Sequence, residues 1–197
     1  MRVMGVDPGL ARCGVAVVDG RGRHISLAAH RLIQTAVGDA TGARLLHVSD
    51  AVTEMLHTWH PDVVAIERLL FNANVRSAMA VAQAVGVILL AVARADIAAH
   101  DYTPTQVKST VTGYGDADKA QVKFLVAAQL RLAQAPQSAD VADAAAVALC
   151  HLWRSGDRGA DSIGGSSPRL AAAAAQAGPG AQVVQPAVRR SDARKSR

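Results

Sequence analysis

The chain has 197 residues, half of them hydrophobic and 19% charged, with a formal net charge of +5 at neutral pH. That is enough apolar material for one globular domain and excludes a chain disordered from end to end. Two cysteines, Cys13 and Cys150, cannot staple a secreted mini-protein and lack metal-ligand spacing, so a reducing, cytoplasmic compartment is expected. The charge is uneven. From Ser155 onward there are seven Arg or Lys and three Asp, which leaves the first 154 residues near neutrality. An anionic partner of the folded part must therefore be met by a local patch and not by a global field.

In chain order, Arg2 to Asp7, Cys13 to Val18 and roughly Ile25 to Ile33 have strand length and pattern. Pro8-Gly9 breaks the first from the second, and Asp19-Gly20-Arg21-Gly22 is a hairpin signal between the second and third. An antiparallel meander follows. Leu45, Leu46, Val48, Val52, Met55, Leu56 and Trp59 have helical spacing until Pro61, and Asp62 to Glu67 is a short apolar strand ending in an acid. Val75 to Ala95 is expected as a helix, Ile97 to Tyr102 as a strand, and two crossovers in succession imply a mixed five-stranded α/β sheet flanked by helices. A short helix after Pro104, a helix capped by Asp116 or Asp118, and a last helix from Ser138 to Trp153 complete the domain, 1–154. Residues 155–197 are low in complexity and are expected to form a mobile basic tail.

The segment from Ser77 to Ala93 carries no charge, yet it is short and Ala-rich for a membrane span and contains Gln83 and Gly86. Burial on two sides is expected instead, one side on the sheet and the other on a partner subunit, with Ala80, Ala84 and Ala91 allowing close approach.

Asp7 and Glu67 end strands expected to be parallel neighbours, so their carboxylates should emerge at one edge, where open α/β sheets bind ligands. Asp140 and Asp143 stand at i and i+3 on the last helix and can join them. Four convergent carboxylates repel one another, and a divalent cation removes the conflict; oxygen donors alone favour Mg²⁺, with Mn²⁺ able to substitute. Two such ions could hydrolyse a phosphodiester. Each acid also has a structural alternative. Asp140 and Asp143 suit a helix N-terminus, Asp7 a Pro-Gly turn, and Glu67 a pair with Arg68. His57 and His60, on either side of Trp59, are expected as solvated helix-end residues, and Cys150 as a packed thiol.

Gly5-Val6-Asp7-Pro8-Gly9, Ala65-Ile66-Glu67, Gln106-Val107-Lys108, Gly113-Tyr114-Gly115-Asp116-Ala117-Asp118-Lys119-Ala120-Gln121-Val122 and Ala139-Asp140-Val141-Ala142-Asp143-Ala144 follow one another in an order and spacing that closely resembles the RuvC family of bacterial Holliday-junction resolvases. The resemblance runs from Met1 to about Trp153. It implies a ribonuclease H-like fold, a homodimer, Mg²⁺ dependence with two ions per subunit, and paired nicks in a four-way DNA junction. It also implies metal binding by Asp7, Glu67, Asp140 and Asp143, DNA contacts by Lys108 and Lys119, and the branch-migration proteins RuvA and RuvB as partners. Where the family commonly has a base-contacting Phe three residues after the Glu, this chain has Leu70, and Phe71 follows. Phe71 is thus a candidate stacking residue, with simple packing as its alternative, and Arg76 a further candidate DNA contact. The other readings to separate are a noncatalytic DNA-binding protein with a basic tail and a different ribonuclease H-like nuclease.

Overall fold

The computed structural model describes residues 1–21, 24–68 and 75–155, without the side chains of residues 21 and 75–77. Five strands, β1 (Arg2–Asp7), β2 (Arg12–Arg21), β3 (His24–Gln34), β4 (Val63–Glu67) and β5 (Ala98–Tyr102), form one sheet in the order β3-β2-β1-β4-β5. β1, β2 and β3 pair antiparallel, while β1–β4 and β4–β5 pair parallel, as the two crossovers demand. Five helices, α1 (Thr41–Trp59), α2 (Val75–Arg94), α3 (Pro104–Thr112), α4 (Lys119–Gln129) and α5 (Ala139–Ser155), cover the sheet. The expected elements are all present, and β3 is longer at both ends than its apolar pattern suggested. The expected hairpin pairs as far as Arg21 and His24, and its turn lies outside the described residues. The described residues fall within one compact unit.

β1 and β4 are central and apolar on both faces, and the alternation of side chains sorts the core into two layers. Met4, Val6, Val15, Val17, Val64 and Ile66 point toward α1 and α2, where Val48, Val52, Met55 and Leu56 form the inward stripe of α1. Val3, Ala16, Val18, Val63 and Ala65 point toward α3, α4 and α5. Asp7 and Glu67 continue this second set, so alternation turns both acids toward the α5 face.

α1 ends at His60, whose left-handed φ of 44° and N–H bond to the Leu56 carbonyl close the last turn before Pro61. His57 and His60 are exposed at that helix end, as expected. Thr103 and Gln106 form a capping box on α3, and Asp118, not Asp116, forms one with Gln121 on α4.

The small residues of α2 correct the sequence reading. Ala84 is fully buried and Ala91 nearly so, Ala91 in the layer against α1 and the sheet; neither is available to a partner. Met79 and Leu90 are at least half exposed, and with Gln83 and Gly86 they make the outward stripe. A helix apolar all round does not reveal its orientation through periodicity; here the narrow alanines turn inward because α1 packs beside them.

α5 is buried from Val141 to His151 except at Asp143, and it touches every strand. It approaches so closely because of what it lacks and what it lies on. A row of small residues, Ala16, Gly5 and Ala65, crosses three strands beneath it. A Cβ on Gly5 would overlap the Ala144 carbonyl oxygen and stand 2.8 Å from the Ala148 nitrogen, and one on Gly14 would overlap the Asp140 carbonyl. Gly5→Ala should therefore cost about 3 kcal/mol or more in urea unfolding, at the severe end of overpacking. Gly42→Ala on α1, where a Cβ meets nothing within 4 Å, should stay within about 1 kcal/mol of the parent. Equal stability of the two variants would refute the close-approach argument.

Candidate active site

In the β1–β4 register Val6 lies beside Ile66, so the next residues, Asp7 and Glu67, end neighbouring parallel strands side by side. Their carboxyl groups are hydrogen-bonded to each other. Asp143, one turn into α5, faces the pair across a cleft of about 240 Å³ lined by Glu67, Lys108, Lys119 and Asp143, with Val107, Val122 and Ala146 as apolar wall. Lys108 comes from α3, and Lys119, the first residue of α4, is 85% exposed with its Nζ 3.8 Å from Asp143 Oδ2.

Electrostatics separate the four acids. Burial, followed by the charges of Glu67, Asp143 and Asp140, pushes Asp7 up to about 8. Burial and Asp143 also raise Glu67, offset by its hydrogen bond from Asp7 and by Lys119 and Lys108. Asp143 is raised mainly by burial, with Lys119 and Lys108 opposing. Burial and mutual repulsion thus favour a proton on the cation-free Asp7–Glu67 pair at neutral pH. Asp140 goes the other way. Its burial is outweighed by hydrogen bonds from Arg12 and Ser138, and its carboxyl lies below the ordinary range.

Two of the sequence-derived acids, Glu67 and Asp143, line one cleft with Lys108 and Lys119, and Asp7 adjoins it beside Glu67. Asp140 lies at the same end of α5 but is turned to Arg12, with Arg12 Nε and Nη2 at 2.9 and 2.7 Å from its Oδ2. Asp140 stands in the first turn of α5, as its helix-terminus alternative has it, and its Oδ2 also accepts from Arg12 and from the Ser138 hydroxyl. Arg68 is not among the groups acting on Glu67. Phe71 lies outside the described residues, and Arg76 belongs to α2 with its side chain outside them.

Sequence reasoning missed Arg12 and Gly14. Both were accessible through hairpin counting: Gly14 pairs with Asp7, and Arg12, two residues earlier, has the same facing.

The donor chemistry suits a hard divalent cation: four carboxylates, no nitrogen or sulfur ligand, and a proton held between two acids where a cation would relieve their repulsion. In the side-chain positions found, no three His, Cys, Asp or Glu among the described residues stand close enough to hold one ion. Holding one ion with three of these acids would take side-chain rotation from those positions.

A mixed sheet in this order, with acids ending its two central parallel strands and a helix carrying further acids laid across them, defines a ribonuclease H-like nuclease. The family model described as crossover junction endodeoxyribonuclease RuvC matches residues 3–151. Proteins of that name from Salinispora arenicola and Mycolicibacterium vanbaalenii are 48% and 53% identical, covering 90% and 78% of this chain and 97% and 80% of their own. The solved structure of T. thermophilus RuvC in complex with Holliday junction substrate matches with a TM-score of 0.76 at 33% identity, over 79% of this chain and 94% of that one. The yeast mitochondrial resolvase Ydc2, at 15% identity and a TM-score of 0.58, shares the fold. The chain belongs to the RuvC family of crossover junction endodeoxyribonucleases, hydrolases that cut DNA.

The raised acids make the cation-free protein sensitive to pH. An acid whose pKa is higher folded than unfolded binds more protons when folded, so stability falls as pH climbs from its unfolded value, near 3.8 for Asp7, to its folded value near 8. Buried His151, pushed down to about 4, acts in the opposite sense but only below its ordinary 6.5. Between pH 6.5 and 8 Asp7 acts without that opposition. Urea unfolding in EDTA should show stability decreasing across this window, less so in Asp7→Asn. A parent protein equally stable at both ends would show that Asp7 carries no proton there.

Proposed function

We propose that the protein resolves four-way DNA junctions by paired nicks, with Asp7, Glu67, Asp140 and Asp143 holding two Mg²⁺ ions per subunit and Mn²⁺ able to replace them. The observation that carries this reading is the hydrogen-bonded Asp7–Glu67 pair facing Asp143 across a cleft edged by two lysines. When bound, such ions activate a water and stabilise the leaving oxygen of a phosphodiester.

The chain's own groups do the rest. Lys108 and Lys119 put positive charge at the cleft, where charge builds on the phosphorus centre during attack. Lys119 is exposed and its ion pair with Asp143 is long, so moving it onto a phosphate costs little. Val107, Val122 and Ala146 keep one wall dry, which strengthens the electrostatic contacts within. Phe71 and Arg76 are proposed as further DNA contacts, Phe71 by stacking on an opened base.

Opposite-strand nicks need two sites related by a two-fold axis, and one folded domain supplies one, which supports a homodimer. The outward stripe of α2, with Met79 58% and Leu90 50% exposed, is the surface we propose for it. RuvA and RuvB as partners, a cytoplasmic location and a domain boundary near Ser155 belong to the same reading. No helix among the described residues is long and apolar enough to cross a membrane.

On a labelled synthetic four-way junction, the protein should make symmetric, ligatable nicks only with a divalent cation. Asp7→Asn should abolish cutting while junction affinity stays within a few-fold, since phosphate contacts remain. Wild-type cutting by this variant would refute the metal-ligand assignment, and binding without any cutting by the parent would favour a noncatalytic DNA-binding protein.

The native mass should be near twice 20.4 kDa. Leu90→Glu should dissociate the dimer and abolish paired nicking; a monomeric parent that still resolves junctions would refute the dimer. Truncation after Ser155 should leave melting temperature and junction selectivity nearly unchanged while flattening the salt dependence of DNA affinity, because a net +4 of tail is removed. Unfolding on truncation would move the boundary.

A further inference from the structure

Arg12 opens β2, and its side chain has the same facing as Asp7. Its Nε and Nη2 both donate to a single oxygen, Asp140 Oδ2, at 2.9 and 2.7 Å. The Ser138 hydroxyl donates to that oxygen at 2.9 Å and stands 3.3 Å from Arg12 Nη2. One carboxylate oxygen thus receives three donors, beyond what its lone pairs accommodate with ideal geometry. A decorative ion pair does not concentrate its donors in this way, and Asp140 is not among the residues that line the cleft.

We infer that Arg12 is a positioning residue that holds Asp140 in the cation-free protein and competes with the incoming divalent ion for that carboxylate. Filling the site then means exchanging Arg12 for the ion at Asp140. The inference rests on the reading of the four acids as cation ligands. Arg12 is 48% exposed and Asp140 26%, so the pair is well hydrated and can open without stranding a buried charge. The fork of the guanidinium matters as much as its charge, since a lysine cannot direct two N–H groups of fixed geometry to one oxygen.

The test is Mn²⁺ binding to the full-length, DNA-free protein, followed by electron paramagnetic resonance of the unbound ion. Arg12→Gln should bind Mn²⁺ about 3- to 10-fold more tightly than the parent, the range expected when a competing charge-assisted pair is removed. Arg12→Lys should fall between the two. Melting in EDTA checks that both variants fold, and Arg12→Lys keeps the test alive if Arg12→Gln does not. Affinity within about 2-fold of the parent, or weaker, in a folded Arg12→Gln would overturn the inference. Asp7→Asn separates the two levels. If it binds Mn²⁺ as the parent does, or if the parent binds none, the carboxylate reading itself falls, whatever Arg12 does.

Discussion

Everything about this site depends on how near α5 can come to the sheet. The helix carries Asp140 and Asp143, the strands carry Asp7 and Glu67, and the space between them is set by Gly5 and Gly14, where a single added carbon would collide with the backbone of the helix. Ala16 and Ala65 extend the low row, and Ala142, Ala144, Ala145, Ala146 and Ala148 answer it from above. Backbone laid almost on backbone leaves no slack for the acids to drift apart. Packing therefore imposes on the carboxylates a proximity that electrostatics alone would refuse, and the cost is met by protons and by Arg12.

The balance among charges then assigns different work to residues of one chemical type. Asp7 and Glu67, buried side by side, are pushed toward the protonated form; Asp143 faces Lys119; Asp140 is held toward the ionised form by a guanidinium and the Ser138 hydroxyl. Lys108 and Lys119 come from two short helices that share one core through Val107, Val111, Val122 and Val126, and capping boxes at Thr103 and Asp118 fix where each begins. Local hydrogen bonds thus determine where the positive charges meet the cleft.

Much of this was legible in the order of residues. Alternation identified the strands, the apolar run from Val63 to Ile66 marked a strand buried on both faces, and two crossovers required it to lie parallel to β1, which brings Asp7 beside Glu67. The cap of α4 was also written locally, since Asp118 and not Asp116 has Gln121 three residues on. What escaped was tertiary. Hairpin counting gives the facing of Arg12 but not its partner, since the pairing with Asp140 joins positions 128 residues apart. The orientation of α2 escaped because its outward stripe also carries large apolar residues, Met79 and Leu90, while Ala91, expected at a partner, lies in the layer against α1 and the sheet. Gly5 looked like part of a motif, and its steric role appears only once Ala144 and Ala148 lie above it.

The position of α5 in the chain has a consequence for biosynthesis. The strands and α1 emerge from the ribosome well before residue 139, so the α5 face of the sheet, with Asp7 and Glu67 at its edge, has no cover from α5 until late in synthesis. A nascent chain halted anywhere before α5 holds two of the four acids and lacks the helix that completes the core. Such a fragment lacks two of the acids and one wall of the core for the same reason. Completion of the core and delivery of the last two carboxylates arrive with one helix.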